Sequence, residues 1–308
     1  MVATDAQIAT PPLRGALCAE RSPHGLPRQA ESSIVVRAFD LTSFVRQSPY
    51  STPGRHADRL AALPDDLTSL GAASRNIIGH YRAELPDLPE DRRGEVDSRW
   101  LEVILGLDQQ RHPAPLDDPR PSAERVAGCC RDHCLLVVGA LRQRGVPARD
   151  RIGFAHYFSP GWAGDHVIVE RWHEGRWQRA DPELGPDHPF DVHDMPAGPN
   201  APFETAAEAW LGWRTGDRDL STYGLEADPA LTGPDFVRTY VIFEVAHRYG
   251  DEMLLWAGWG ATEHAPDVST IDELARLLVL ADAGDHNAEA DLWARYHQDD
   301  RLHPGTPT

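Results

Sequence analysis

Gly128-Cys129-Cys130-Arg131-Asp132-His133-Cys134-Leu135-Leu136 is the stretch whose reading decides the rest of the chain. A glycine and two cysteines come first, two charged residues follow, and an apolar run continues to Leu141. That order predicts a tight turn feeding a helix, with cysteines at the helix start rather than in its middle. Unpaired backbone N–H groups and the positive end of the helix dipole lie there, and both favour a thiolate over a thiol. Such settings lower a cysteine pKa from about 8.5 to somewhere between roughly 3.5 and 7.5. The chain on either side is therefore read for a base, and for an acid to orient that base.

Working outward, the helix runs from about Cys130 to Arg144, with Leu135, Val138 and Leu141 on its buried face and Cys134 and Val137 alongside. Gly145-Val146-Pro147 stops it, because proline cannot continue a helix and glycine is favoured just past its end. Arg151 to Phe158 reads as a strand. His166–Trp172 and Arg176–Asp181 read as a hairpin turning at Glu174-Gly175. If Trp172 sits opposite Trp177, His166 and Asp181 point to the same side, since side chains alternate along a strand. A slip by one pair would set His166 directly opposite Asp181. Either register puts an imidazole and a carboxylate on one face.

Further out, residues 1–30 are rich in Pro, Ala, Arg and Ser and are expected to form a flexible tail. Ser33 to Phe39 reads as a short strand, Asp66 opens a helix running towards His80 and Tyr81, and Asp97 to Leu101 opens another. Pro113 to Pro121 reads as an extended connection into the cysteine turn. Helices are expected at Ala206–Trp213, Asp235–Tyr249, Ser269–Ala283 and near Glu289–His297. Trp210, Trp213, Trp256 and Trp259 read as core packing rather than a ligand cage.

Cys130, His166 and Asp181 fit the requirements of a nucleophile, its base and an orienting acid in kind and in local structure. Cys129 and Cys134 are rival nucleophiles, Cys134 reading mainly as a small core residue. A zinc site from Cys129, Cys130, His133 and Cys134 is disfavoured, because adjacent cysteines chelate poorly and the paired Cys-x-x-Cys spacing is absent. Arg131 and Asp132 read as first-turn charges, with a salt bridge or packing role ahead of catalysis.

These blocks carry a resemblance. Gly-Cys-Cys-Arg-Asp-His-Cys-Leu-Leu, Leu-Arg-Gln-Arg-Gly-Val-Pro-Ala-Arg, Ile-Gly-Phe, Asp165-His166-Val-Ile-Val-Glu and Trp177-Gln-Arg-Ala-Asp181-Pro together resemble the bacterial branch of the transglutaminase-like superfamily. The matching core covers about Arg120 to Leu184, within a domain expected over 31–300 and followed by a tail at 301–308. The resemblance implies an α+β, papain-like fold: a helix carrying the cysteine packs on an antiparallel sheet, with helices added before and after. It implies a triad of Cys130, His166 and Asp181 and cysteine-dependent acyl transfer through a thioester. Amide hydrolysis, transamidation and ligation or cyclisation then differ only in what resolves the thioester. The oxyanion would be held by the Cys130 backbone N–H and one upstream donor, for which His80 is the candidate. Cys129, Arg131, Tyr157 and Asp165 are further candidates for shaping the acyl pocket. The other class of function is a catalytically silent module that binds a peptide or partner protein through the same cleft.

The formal net charge is −18 over 308 residues, and all 30 basic side chains are arginine. A surface this acidic repels nucleic acid and anionic membrane. The expected partner is a small-molecule or peptide substrate bearing an acyl group, with an amine acceptor as one option. Thioester exchange calls for no cofactor and no metal. No signal peptide is visible, and no run reaches the roughly 18 apolar residues of a membrane span, so a reducing cytoplasm is expected. The four cysteines, three of them within six positions, are read as free thiols.

Overall fold

A computed structural model describes residues 40–264 and 266–305, and the structural statements that follow concern those residues. The expected tail at 1–30 and the strand at Ser33–Phe39 lie outside them.

The chain enters through α1 (Ala57–Ala61) and α2 (Leu67–Ile77), the latter opened by the Asp66 carboxylate accepting from the Ser69 N–H. Leu67, Leu70, Ala73 and Ile77 form its buried face, at the spacing of one helical stripe. The helix was expected to continue to His80. It ends at Ile77 because Ile78–His80 form strand β1, which pairs in parallel with β2 (Val126–Gly128). Between them comes α3 (Leu101–Arg111). The β1–β2 pair is what brings His80 beside the cysteine turn, with His80 opposite Gly128. A Cβ on Gly128 would lie 2.7 Å from the Asp132 carboxylate and 2.9 Å from Ile78, so this close approach requires glycine.

Helix α4 (Cys130–Gln143) is almost wholly buried and forms the axis of the core. A mixed sheet packs against it. Strand β3 (Ala148–Ala155) pairs antiparallel with β4 (Ala163–His173), which pairs antiparallel with β5 (Arg176–Ala180). The order β5-β4-β3-β6 is completed by β6 (Phe203–Thr205), and β7 (Tyr223–Gly224) adds to β4 in parallel. The β4–β5 hairpin sets Trp172 opposite Trp177, the register read from the two tryptophans. Its turn residues Glu174 and Gly175 both have positive φ, 50° and 81°, as a two-residue turn matched to strand twist requires.

The outer layer is helical: α5 (Ala206–Thr215), α6 (Pro234–Arg248), α7 (Gly260–Glu263), α8 (Val268–Asp282) and α9 (His286–Gln298). The short elements β1, β2, β6, β7 and α7 were not read from the sequence. Each is too brief to show a period, and pairing or packing with distant residues defines them. The architecture is α+β, as expected. Leu302 is buried in the same core as α4, so the chain is still anchored just past Arg301. Among the described residues, no helix is long and apolar enough to cross a membrane.

Candidate active site

Cys130 is the first residue of α4, and Cys129 caps it with the Cys129 N–H donating to Asp132 Oδ2 at 2.9 Å. His166 comes from β4, where it faces Gly153 of β3. Asp181 follows directly on β5, its backbone N–H held by the Val192 carbonyl. The antiparallel register turns both side chains to one face, and His166 Nε2 meets Asp181 Oδ2 at 2.7 Å. Both side chains are buried, at 3% and 0% exposure. Tyr157 donates its hydroxyl to the same Asp181 oxygen at 2.5 Å, and the Glu183 N–H donates to Asp181 Oδ1 at 3.0 Å. With Nε2 committed to Asp181, Nδ1 is the His166 nitrogen left for chemistry. Cys130 Sγ, a His166 ring nitrogen and a Glu183 oxygen all lie within 4.8 Å of one another.

The electrostatics are mixed. Burial works to lower the His166 pKa, but Asp181, through charge and hydrogen bond, together with Glu183 and Asp165, outweighs it and holds the imidazole above its ordinary value. Burial likewise works against the Asp181 carboxylate, while His166 and Tyr157 keep it below the usual range. Cys130 departs from the sequence expectation. Contact with the Cys129 thiol, then burial, then the negative charges of Glu183 and Asp165 push its thiol well above the ordinary value. The helix start alone favours a thiolate; the acidic, closed surroundings reverse that preference. The surroundings of Cys130 thus oppose ionisation of its thiol, against the effect of the helix start.

His80 lines the cleft at the end of β1. Burial, the largest influence, with His166 and Arg82, lowers its pKa to about 4, so the ring is neutral near pH 7. Its Nδ1 accepts from the Arg82 and Ala83 N–H groups at 3.3 and 3.4 Å. That assignment leaves the proton on Nε2, available as a donor. Asp165 also lines the cleft and accepts from the Tyr240 hydroxyl at 2.7 Å. Cys129, itself buried, lines the same space.

Two of the candidates sit elsewhere. Arg131 does not reach the cleft: its guanidinium is fully buried, donating to Asp132 at 2.8 Å and to the Glu252 and Arg99 carbonyls. At the second position of a helix start, its long side chain is directed back into the core. Tyr157 lies behind the cleft, supporting Asp181. The zinc grouping weighed from sequence is not assembled either. Cys134 donates to the Val167 carbonyl at 3.2 Å, and His133 packs in the core with Nδ1 3.3 Å from the Ser74 hydroxyl. The sulfur, nitrogen and oxygen donors that could hold a metal among the described residues are those of Cys130, His166 and Glu183.

Glu183 was missed. It is half-buried, its Oε2 is shut off from solvent without a hydrogen-bond partner, and burial pushes its pKa to about 7. The signal was the sequence Asp181-Pro182-Glu183, in which a carboxylate two residues past the acid is turned back by an Asx-type bond. Trp256 was read as core, yet it is 44% exposed and lines the cleft, whereas Trp210 and Trp259 are buried.

Residues 97–182 match the family model described as the Transglutaminase-like superfamily. That segment contains Cys130, His166 and Asp181. The match supports cysteine-based catalysis in general. Among solved structures, a protein from Cytophaga hutchinsonii provisionally titled a cysteine protease is similar at 17% identity and a TM-score of 0.32. The likeness covers 50% of this chain and 46% of that one, so the chain spans about half the length of the structure it matches. No curated protein gives a significant match.

Proposed function

We propose that the protein is a cysteine-dependent acyltransferase or amidohydrolase in which Cys130 carries the acyl group as a thioester. The observation that supports this best is the buried relay from Asp181 through the His166 ring towards the Cys130 thiol at the start of α4. In this reading His166 removes the Sγ proton as the sulfur attacks the carbonyl carbon of an amide, ester or thioester. The Cys130 backbone N–H and the His80 Nε2–H receive the developing oxyanion, the kind of contact worth roughly a hundredfold or more in rate. His166 then gives its proton to the leaving group, the carbon–leaving-group bond breaks, and Asp181 stabilises the imidazolium meanwhile. Water, an amine or an internal nucleophile resolves the thioester, giving hydrolysis, transamidation or ligation. The substrate is a small molecule or peptide with an acyl group, and a reducing compartment such as the cytoplasm would keep the thiols free.

Mixing the protein with p-nitrophenyl acetate should release one equivalent of p-nitrophenolate in a burst and leave an acetyl group on Cys130 by peptide mass spectrometry. Cys130→Ala should abolish both. An acetyl group carried by Cys129 instead, or none in a folded protein, would sink this reading.

A further inference from the structure

The cleft above Cys130 has a volume of about 530 Å³, within the size range of pockets that enclose whole small molecules. Its chemistry is sharply divided. The polar groups with capacity to spare, Cys130, His166, the His80 Nε2–H and Glu183 Oε2, gather at one end. Much of the remaining wall is ring and aliphatic carbon, from Phe158, Leu231, Phe236, Leu255 and Trp256, with Arg82, Ser159, Asp165 and Glu226 as polar exceptions. Three of the six exposed large apolar side chains among the described residues, Phe158 at 48%, Trp256 at 44% and Leu231 at 41%, line this one space. Of the four Trp and Tyr side chains lining the cleft, three have their polar atoms engaged by protein groups. Trp162 donates to the Gly224 carbonyl at 2.8 Å, Trp256 to Asp97 at 2.9 Å, and Tyr240 to Asp165 at 2.7 Å. With those atoms engaged, the three rings contribute mainly carbon to the cavity wall. Exposed apolar surface concentrated in a concave site is the mark of a ligand, since scattered exposed residues would need no explanation.

The wall starts at the reacting groups themselves. The Phe158 ring stands edge-on to His166 with centroids 4.9 Å apart. On the other side, Tyr81 stacks on His80 at 5.5 Å and meets Trp256 edge-on at 6.3 Å. A carbonyl carbon placed at Cys130 between His80 and His166 would send its substituent directly into this aromatic channel.

We propose that the acyl donor carries a bulky, uncharged apolar body, aromatic or medium-chain aliphatic, seated against Phe158, Trp256 and Leu231, while its carbonyl lies at Cys130. The inference rests on the thioester reading of Cys130 for the position of the carbonyl. Glu183, Asp165 and Glu226 line the cleft against a single guanidinium, that of Arg82, so the balance of charge works against an acyl body bearing a second carboxylate. No covalent step beyond the acylation already described is added.

The test is a series of p-nitrophenyl esters: acetate, hexanoate, phenylacetate and the hemisuccinate. Acylation rates of Cys130 are divided by the rate of each ester with free thiol, which removes intrinsic reactivity. Each methylene fully buried is worth about fourfold, so hexanoate and phenylacetate should exceed acetate by at least about tenfold after this correction. The hemisuccinate should fall below acetate. Trp256→Ala, or Phe158→Ala should the first variant not fold, should shrink the hexanoate-to-acetate ratio severalfold. The ratio of hexanoate to phenylacetate tells which apolar body the channel prefers. A flat series with Cys130 acylated would overturn the inference and leave the thioester reading standing. If no ester acylates Cys130, the thioester reading fails, and binding to Cys130→Ser decides the rest. Saturable quenching of tryptophan fluorescence by hexanamide or phenylacetamide, but not by acetamide or succinamate, would still support the apolar site; no binding would overturn it.

Discussion

Replacing Asp181 by asparagine tests the relay with the least change of shape. Asp181 Oδ2 accepts from both His166 Nε2 and the Tyr157 hydroxyl, while Oδ1 accepts from the Glu183 N–H. An asparagine has one acceptor oxygen for these two positions. With its oxygen on the His166 side, the NH₂ group confronts the Glu183 N–H, donor against donor. Flipped, the NH₂ faces His166 Nε2, which must then accept and so lose its proton to Nδ1, the nitrogen needed as a base. A charge-assisted bond exceeds a neutral one by about 1–1.5 kcal/mol, and an ion pair near 4 Å at an effective dielectric of about 20 sets an upper figure of about 4 kcal/mol. A loss of roughly 1.5–3 kcal/mol in imidazolium stability follows, which lowers Cys130 reactivity about 10- to 150-fold.

The assay is alkylation by limiting iodoacetamide between roughly pH 6 and 9, mapped by peptide mass spectrometry, beside a melting curve to establish folding. The pH dependence has a definite sign. His166 is held above its ordinary 6.5 in the fold, so its contribution to stability is full below about 6.5 and fades as the pH rises through the folded value. That pH-dependent part should shrink in Asp181→Asn. A folded Asp181→Asn protein alkylated at Cys130 as fast as wild type across this range would refute the reasoning.

Glu183→Gln should change stability in a pH-dependent way. Its carboxyl is raised from 4.5 to about 7 by burial, so the wild-type contribution is full below 4.5 and is lost as the pH rises through about 7. Urea unfolding should find the variant more stable than wild type by about 1–3 kcal/mol near pH 8, with the gap closing near pH 5; a gap independent of pH would contradict this. Arg131→Met should destabilise by about 3–5 kcal/mol, because it leaves the buried Asp132 carboxylate and backbone carbonyls without their donor; a melting temperature within a degree or two of wild type would show the network to be dispensable. Gly153→Ala should cost about 1–3 kcal/mol or more, since its Cβ would lie 2.1 Å from the Glu204 carbonyl oxygen and 2.8 Å from Thr205 Cα. Backbone on the facing strand cannot swing aside as a side chain would, so unchanged thermal stability would mean β6 is not fixed where it lies.

Local patterns made much of the core legible. A cysteine between a glycine turn and an apolar run announces a helix start, and Cys130 opens α4. Trp172 and Trp177 across Glu174-Gly175 fix a hairpin, and the period of two then carries His166 and Asp181 to one face. Those are near-neighbour relations, decided by backbone geometry within about 15 residues. Only the tertiary structure decided the rest. His80 reaches the cysteine turn through a three-residue parallel pair whose partners are far apart in sequence. Arg131, adjacent to the nucleophile, is drawn into the core by carbonyls from other segments. The Cys129 thiol, burial and, behind them, the charges of Glu183 and Asp165 oppose at Cys130 what the helix dipole alone would favour. Trp256, one of four similar tryptophans in sequence, becomes a cleft wall because Asp97 holds its indole nitrogen at the rim. Burial and long-range charge are properties of the assembled chain, and no short window of residues contains them.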